Sequence, residues 1–391
     1  MCSNQGDCNS DNPRHTKLTH RRDVCVKCSG ANGPPAILVR SDDPALCKLC
    51  FLNACLHKFK SSFGKSNVIP KDSKVAVGIS GGVSSTVMLD LLKKYSNCRF
   101  KPLLFHVLEP NGSEIEIQKI TELLNGSGFT FHIFEPSKVC PKIHTLHQLI
   151  HSQVRTSTAV LKNSSNLLKW CKQQLLIQCA RLLSCDWLLL GSHGTHLAND
   201  FLMGIIEGRS GFSAADASFI DRRYGDVTLA RPLHAFMAKE LVFYSRFCQL
   251  ESLSPSDPTT ETILKRPTLT TLHRLCDDFL AGLQGQGFPS TTQTILSTSS
   301  KLLTNPKEEG ECQRCRLCWA PVPLSPTSPD PNKLAMSSLH FSYSITSSEN
   351  AGGQTTFVKH LCYACTAIYV ELPQEIQSCF DQTFFENPAY S

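Results

Sequence analysis

The feature that most constrains the fold is the segment from Lys74 to Leu92, in which an apolar run breaks at two glycines and continues as a helical pattern. The run has β-branched side chains without polar interruption, as in a central parallel strand covered on both faces, at Val75, Val77 and Ile79. Apolar residues then recur at helical spacing, at Val87, Met88, Leu91 and Leu92. The segment therefore predicts a strand, a tight loop and a helix in succession.

The loop of this unit has the composition of an anion site. Residues without a Cβ can take a positive φ and turn successive N–H groups toward a ligand, while the following helix directs its positive end to the same point. We therefore predict a phosphate site formed by Ser80, Gly81, Gly82, Ser84 and Ser85.

The run from Ser80 to Ser85 resembles the pyrophosphate loop, Ser-Gly-Gly-x-Asp-Ser, of the ATP-pyrophosphatase (PP-loop) family. The resemblance implies an adenine nucleotide alpha-hydrolase-like fold, whose members bind ATP on this loop and transfer AMP to a carbonyl oxygen. Ser84 stands where the family carries Asp, so a carboxylate that helps to organise Mg-ATP is absent. ATP and magnesium are therefore expected at most in a degenerate site, and no residue is predicted to be catalytic.

Alternating strand and helix patterns follow the loop. They predict an α/β fold with a doubly wound parallel sheet, in which ligands bind at the carboxyl ends of the strands. The loop at Ser80 and the segment Ser192-His193 should therefore face one crevice. Strands are predicted at 102–107, 129–134 and 186–190, and helices at 115–124, 164–183 and 238–250.

The strand at 186–190 leads into a second family motif. The tRNA-thiolating branch of the family has Gly-His-x-x-Asp-Asp at this point, and here the run keeps His193 but not the paired acids. Arg231-Pro232-Leu233 matches a further segment, whereas neither reactive cysteine of the branch has a convincing match. Cys171 and Cys179 share a helical face with leucines and are read as core residues. The resemblance implies that His193 contacts the ligand of a site that has lost its catalytic groups.

Twenty cysteines are present, and their clustering favours metal binding over disulfides. Cys25, Cys28, Cys47 and Cys50 form C-x2-C-x18-C-x2-C, the spacing of a four-thiolate zinc ribbon. The alternative is a set of four reduced structural thiols.

A second cysteine group near the C-terminus repeats the arrangement with a longer insert. We predict zinc ligation by Cys312, Cys315, Cys362 and Cys365. Cys318 is the fifth candidate for four positions and is treated as the spare, although the choice among the first three cysteines stays open.

The net charge of +6 is concentrated near the N-terminus, where residues 1–70 hold ten Lys or Arg against five Asp. A basic arm beside a zinc module predicts contact with a phosphate backbone, and Arg21, Arg22 and Lys27 are the candidate tRNA-binding residues. A solubilising tail is the alternative. The chain has no apolar run of membrane length and no recognisable leader, so a cytoplasmic location without membrane partners is expected.

Composition shifts divide the chain into five predicted regions. They are a disordered basic arm (1–22), a zinc-ribbon module (23–66), the PP-loop α/β domain (67–250), a linker with an amphipathic helix (251–305) and a C-terminal cysteine module (306–391).

Taken in order, these segments are similar to the supporting subunit of a tRNA thiolase. The resemblance implies a heterodimer with a paralogous catalytic subunit, which places sulfur at C2 of the wobble uridine (U34) of cytosolic tRNAs. It further implies ATP-dependent adenylation of the uridine and sulfur from a thiocarboxylated ubiquitin-like carrier. Two alternatives remain: an active ATP-dependent tRNA sulfurtransferase in its own right, and a small-molecule ATP-pyrophosphatase.

Overall fold

The computed structural model contains a six-stranded sheet and a separate two-stranded hairpin. The large sheet carries the predicted loop. The strands are β1 Lys74–Gly78, β2 Lys101–Val107, β3 Phe131–Phe134, β4 Trp187–Leu189, β5 Ile220–Tyr224, β6 Val227–Ala230, β7 Cys312–Arg314 and β8 Pro321–Pro323. The order in the large sheet is β3-β2-β1-β4-β6-β5, and only the pairing of β5 with β6 is antiparallel.

The described part of the chain also contains thirteen helices. They are α1 Lys48–Gly64, α2 Val83–Lys94, α3 Glu114–Asn125, α4 Pro136–Val139, α5 Pro141–Gln153, α6 Thr158–Leu182, α7 Gly194–Ile206, α8 Ser210–Ala217, α9 Ala238–Phe247, α10 Leu272–Gly285, α11 Thr291–Lys301, α12 Tyr363–Glu371 and α13 Gln374–Phe384. The structure describes residues 23–40, 43–64, 68–95, 99–109, 112–154, 157–253, 271–303, 312–323 and 361–385.

Strand β1 lies in the interior of the sheet, with a parallel partner on each side. Val77 lies beside Leu104 of β2 and beside Leu189 of β4, and all three side chains are fully buried. The predicted doubly wound α/β fold is confirmed, and each predicted strand and helix is present with its ends shifted by a few residues.

The hairpin of β5 and β6 was missed by sequence analysis because β5 carries three charged residues in succession, one of them buried. Asp221 is 2% exposed, and its carboxylate lies 2.6 Å from the guanidinium of Arg223 and 3.7 Å from that of Arg231. Arg223 also contacts Asp216 of α8 at 2.5 Å. Ion pairing satisfies these side chains inside the fold, so the strand carries none of the apolar alternation that normally identifies one.

The chain divides into two compact units, residues 1–54 and residues 55–391. The division falls within α1. In the first unit, Ile37 and Leu46 form an antiparallel bridge that closes the segment between the two cysteine pairs.

The C-terminal segment shares a core with the α/β domain. Ile143 and Ile150 of α5 and Leu167 of α6 pack in one cluster with Phe380 and Phe384 of α13, and all five side chains are fully buried. The C-terminal cysteine module is therefore part of the second unit.

Two further helices, α10 and α11, pack on α7 and α8. Leu280 and Leu296 join Leu197, Phe201 and Ala214 in one apolar cluster. Helix α10 was predicted, whereas α11 lies in a stretch that sequence analysis had read as polar linker. No helix in the described part of the chain is long and apolar enough to span a membrane.

Phe380 provides a test of the shared core. Its ring is fully buried and lies 4.7 Å from that of Phe384 and 5.4 Å from that of Tyr369. Phe380→Ala should lower the free energy of unfolding by about 3–5 kcal/mol, because it removes a large ring and leaves a cavity. Urea unfolding of the full chain measures this, with Phe288→Ala, whose ring is 59% exposed, as the control. Equal effects of the two substitutions would contradict the shared core.

Candidate nucleotide loop and cysteine metal sites

The loop after β1 places the N-terminus of α2 at the carboxyl edge of the sheet. Gly81 has a φ of +84°, and Gly82 is the extended N-cap residue of α2. A Cβ at Gly81 would lie 2.4 Å from Cδ1 of Ile120 and 3.0 Å from Cδ1 of Leu253. Both its backbone conformation and its surroundings therefore require glycine at this position.

Hydroxyl groups hold the loop in shape. The Ser80 and Ser85 Oγ atoms lie 3.2 Å apart, and the N–H of Gly82 donates to Ser80 Oγ at 3.4 Å. Thr86 Oγ1 donates to the carbonyl oxygens of Gly81 and Gly82. The loop thus presents hydroxyls and the start of a helix, which are donor groups suited to a phosphate.

The loop lacks a group for magnesium. None of residues 80–85 is acidic, and Ser84 offers a neutral hydroxyl where the PP-loop family has a carboxylate. Asp90, the acid of α2, lies 2.6 Å from Lys94 Nζ and accepts a hydrogen bond from the Tyr244 hydroxyl at 2.7 Å. Since Mg²⁺ prefers charged oxygen ligands, the residues present fit phosphate but do not fit a loop-bound Mg²⁺.

The ends of β1 and β4 meet at this edge. A Cβ at Gly191, two residues after β4, would lie 3.2 Å from the backbone N of Ser85. The structure therefore brings the segment that leads to His193 against the start of α2.

His193 is the N-cap residue of α7, where its Nδ1 accepts from the N–H of His196 at 3.4 Å. Burial, and then the neighbouring His196, lower the pKa of His193 to about 4. At neutral pH it is therefore an uncharged hydrogen-bonding group at the crevice.

His106 is a site residue that sequence analysis assigned only to a strand. It lies in β2, is 8% exposed, and its Nδ1 is 2.7 Å from the carbonyl oxygen of Ile79. Since a carbonyl only accepts, Nδ1 carries the proton and the ring anchors the residue before the loop. Burial lowers the pKa of His106, which keeps the ring neutral.

The four N-terminal cysteines come together as predicted from their spacing. Their ligand atoms all lie within 4.8 Å of one another, and Cys28 Sγ is 3.8 Å from Cys47 Sγ. Asn32 donates its backbone N–H to Cys28 Sγ at 3.4 Å and its side-chain amide to Cys50 Sγ at 3.7 Å. Zn–S bonds of about 2.3 Å in a tetrahedron place sulfurs about 3.8 Å apart, so the cluster can hold one such ion.

Acidity differs among these thiols. Hydrogen bonding to backbone groups, first that of Cys47, lowers the pKa of Cys25 to about 6, whereas burial and the Cys47 thiol raise that of Cys50 to about 12. Neighbouring thiolates repel one another, and a bound cation would remove that conflict.

The C-terminal cluster contains Cys315, Cys318, Cys362 and Cys365, all buried and within 4.8 Å of one another. Cys318 Sγ lies 3.6 Å from Cys362 Sγ. Cys318, which sequence analysis treated as the spare, is therefore a member of the described cluster.

The hairpin of β7 and β8 explains why Cys318 lies in the cluster. Cys312 lies in β7 opposite Pro323, whereas Cys315 and Cys318 lie in the loop between β7 and β8. The N–H of Trp319 donates to the Cys315 carbonyl at 2.8 Å, so the chain folds back sharply between the two ligands. The side chain of Cys312 is outside the described residues.

A buried cation lies close to the C-terminal cluster. The guanidinium of Arg209 is 2.6 Å from Asp216 and 5.0 Å from the ring of Trp170. Burial opposes its charge, but Asp216 and then the thiols of Cys318, Cys365 and Cys362 hold the pKa of Arg209 well above its usual range. Arg209 can therefore offset part of the negative charge that four metal-bound thiolates would carry.

The predicted tRNA-binding residues are only partly described. Lys27 is exposed, next to Cys28 in the first cluster, while Arg21 and Arg22 lie outside the described residues. The structure therefore shows one of the three at the surface of the first unit.

The fold and the loop define the class as α/β proteins with a degenerate PP-loop. The model of the family described as cytoplasmic tRNA 2-thiolation protein 2 matches residues 271–367. The rat protein of that name is 27% identical to this chain, and the match covers 90% of this chain and 85% of the rat protein. The Danio rerio protein of that name is 26% identical, with 75% of this chain and 71% of that protein covered. The chain is thus similar to proteins named cytoplasmic tRNA 2-thiolation protein 2 over most of its length.

A solved structure supports the fold. The U34-tRNA thiolase NcsA from Methanococcus maripaludis, determined with its [4Fe-4S] cluster, superimposes with a TM-score of 0.57. The two chains are 18% identical, and the match covers 73% of this chain and 90% of that one. This similarity confirms the α/β architecture.

Gly81 and Gly82 make a matched test of the loop. Gly81→Ala should lower the free energy of unfolding by about 1–3 kcal/mol, because alanine is strained at this φ and its methyl meets Ile120. Gly82→Ala should cost about 1 kcal/mol or less, since Gly82 has a φ of −69° and its nearest neighbour would be 3.6 Å away. Denaturant unfolding compares the two variants, and a larger cost at Gly82 would contradict the described loop.

The four cysteines of the described cluster predict different effects for substitutions of Cys318 and Cys312. Cys318→Ser should reduce the metal content of the purified full chain by about one ion, because a structural site needs all four thiolates. Cys312→Ser should leave the metal content unchanged. Elemental analysis measures both variants, and loss of metal from the Cys312 variant alone would restore the original assignment.

Proposed function

We propose that this chain is the supporting subunit of a heterodimeric thiolase that modifies U34 of cytosolic tRNAs at C2. The observation that carries the proposal is a loop that keeps the fold of a phosphate cradle around Gly81 while Ser84 replaces the carboxylate. The names of the relatives agree with this activity and place those proteins in the cytoplasm, and the same compartment is proposed for this chain.

The chemistry explains why a second subunit is required. The O2 atom of uridine is a poor leaving group, so it first attacks the α-phosphorus of ATP and releases pyrophosphate. A sulfur nucleophile, derived from a thiocarboxylated ubiquitin-like carrier, then adds at C2 and AMP leaves. The first step requires neutralised phosphates held in line, and this chain lacks the acid that would organise the metal. The paralogous partner is proposed to supply that step.

The second motif supports the same division of roles. At the positions where the thiolating branch has paired acids, this chain has His196 and Leu197. His196 is exposed and Leu197 is buried in the cluster with α10 and α11. Helix α7 therefore serves packing where an active member would present carboxylates.

The remaining groups are given structural and binding roles. Both four-cysteine clusters are proposed to hold zinc, since zinc prefers closed tetrahedral thiolate sites. Lys27, together with Arg21 and Arg22, is proposed to contact the tRNA backbone, where charge neutralisation makes binding weaken with salt. A nucleotide bound at Ser80 and Gly82 would serve structure or assembly.

Loop substitutions in each subunit test the proposal. Ser80→Ala in this chain should leave single-turnover thiolation by the heterodimer nearly unchanged, because Ser80 is an exposed hydroxyl in a site without the metal-organising acid. The equivalent substitution in the partner should slow the reaction by about 100-fold or more, as for loss of a transition-state donor.

Two controls make the comparison decisive. Metal content and dimer formation are measured first for each variant, so that a folding defect is recognised. ATP–pyrophosphate exchange by this chain alone should be absent. Exchange by the isolated chain, or loss of thiolation with Ser80→Ala equal to that in the partner, would instead favour an active enzyme.

A further inference from the structure

A third cluster of metal-ligating side chains, apart from the two cysteine clusters, lies in the first two turns of α7 and on α10. His196 and Asp200 are four residues apart on α7, and His273 reaches them from α10. The distance from His196 Nε2 to Asp200 Oδ2 is 3.5 Å, and that from His273 Nε2 to Asp200 Oδ1 is 3.8 Å. One ligand atom from each residue lies within 4.8 Å of the others.

These distances suit a small transition-metal ion. Bonds of about 2.1 Å to imidazole nitrogen and carboxylate oxygen place tetrahedral ligand atoms about 3.4 Å apart. Small rotations of the side chains would bring the three ligand atoms to this spacing. Because His196 is 46% exposed, a fourth coordination position would open toward solvent.

A further carboxylate orients one of the imidazoles. Asp277 Oδ2 lies 3.4 Å from His273 Nδ1, one helical turn further along α10, and Asp277 also accepts from the side-chain amide of Asn199 at 2.5 Å. With the proton of His273 on Nδ1 and directed to Asp277, the lone pair of Nε2 faces Asp200. A carboxylate behind a histidine ligand is the usual outer-shell arrangement of zinc sites.

We propose that His196, Asp200 and His273 form a binding site for a divalent transition-metal ion such as zinc, which joins α7 to α10. The ion would be held by two imidazoles and one carboxylate, with water at the remaining position. This site is separate from both cysteine clusters and does not depend on the proposed function.

A cation already lies beside the carboxylate of the cluster. Lys169 Nζ is 2.9 Å from Asp200 Oδ2, so Asp200 is ion-paired when no metal is bound. With a metal bound, Lys169 stays as a hydrogen-bond donor to the ligating carboxylate.

Cobalt titration of the full chain tests the proposal. The two cysteine clusters are first filled with zinc and their content is measured. Co²⁺ should then bind at one further site per chain and give visible d–d absorption without the intense thiolate charge-transfer bands of a cysteine site.

Three variants assign the site. His196→Ala should abolish the added absorption, and Asp277→Asn should weaken Co²⁺ binding by about 10- to 100-fold, as for loss of an outer-shell partner. His57→Ala, which removes an exposed helical histidine elsewhere, should have no effect. His196 is exposed, so its substitution leaves the fold intact, which circular dichroism verifies. No added Co²⁺ in the natural protein, or equal binding by His196→Ala, would overturn the proposal and leave an ion-pair network only.

Discussion

The turn at Gly81 is the constraint on which the ligand-facing edge of the sheet depends. Its positive φ reverses the chain between β1 and α2, and its missing side chain lets Ile120 and Leu253 close over the backbone. The Gly81 carbonyl also accepts from the N–H of Leu253 at 2.8 Å, so the segment after α9 is fastened to the same turn. A larger residue would displace three parts of the fold together. This explains how the cradle persists on structural grounds even where Ser84 has replaced the acid.

Sequence patterns predicted the parts of the fold that apolar periodicity defines. β1, α2 and the long α6 follow regular apolar spacing, and the glycines mark the loop between the first two. The pattern failed where polar residues are buried. In β5, Asp221 is buried in ion pairs. Helix α11 is rich in Ser and Thr, has few apolar residues, and buries Thr292 and Ser299. In these elements tertiary contacts outweigh intrinsic propensity, so no local window contains the information.

For the clusters of metal-ligating residues, prediction from the sequence meets the same limit. Spacing identified the N-terminal cysteine cluster because only one pairing of its two C-x2-C units is available. Near the C-terminus, Cys312, Cys315 and Cys318 form two overlapping pairs of identical spacing, and only the position of the hairpin distinguishes them. The cluster at Asp200 was invisible in the sequence, since His273 is far along the chain and reaches α7 only through the packing of α10.

Electrostatics connects these observations to the proposed division of roles. An active nucleotide site must bring magnesium and carboxylates to the phosphates. Until the ligand and its metal bind, those carboxylates repel one another strongly. This chain carries no acid at residues 80–85, and its buried acids at Asp216 and Asp221 are neutralised by Arg209, Arg223 and Arg231. Arg209 in turn faces the thiols of the C-terminal cluster. Charge has therefore been arranged to hold helices and cysteine sites in place, which is the requirement of a scaffold. In the proposed function, such a subunit presents tRNA and a partner to each other without itself activating a phosphate.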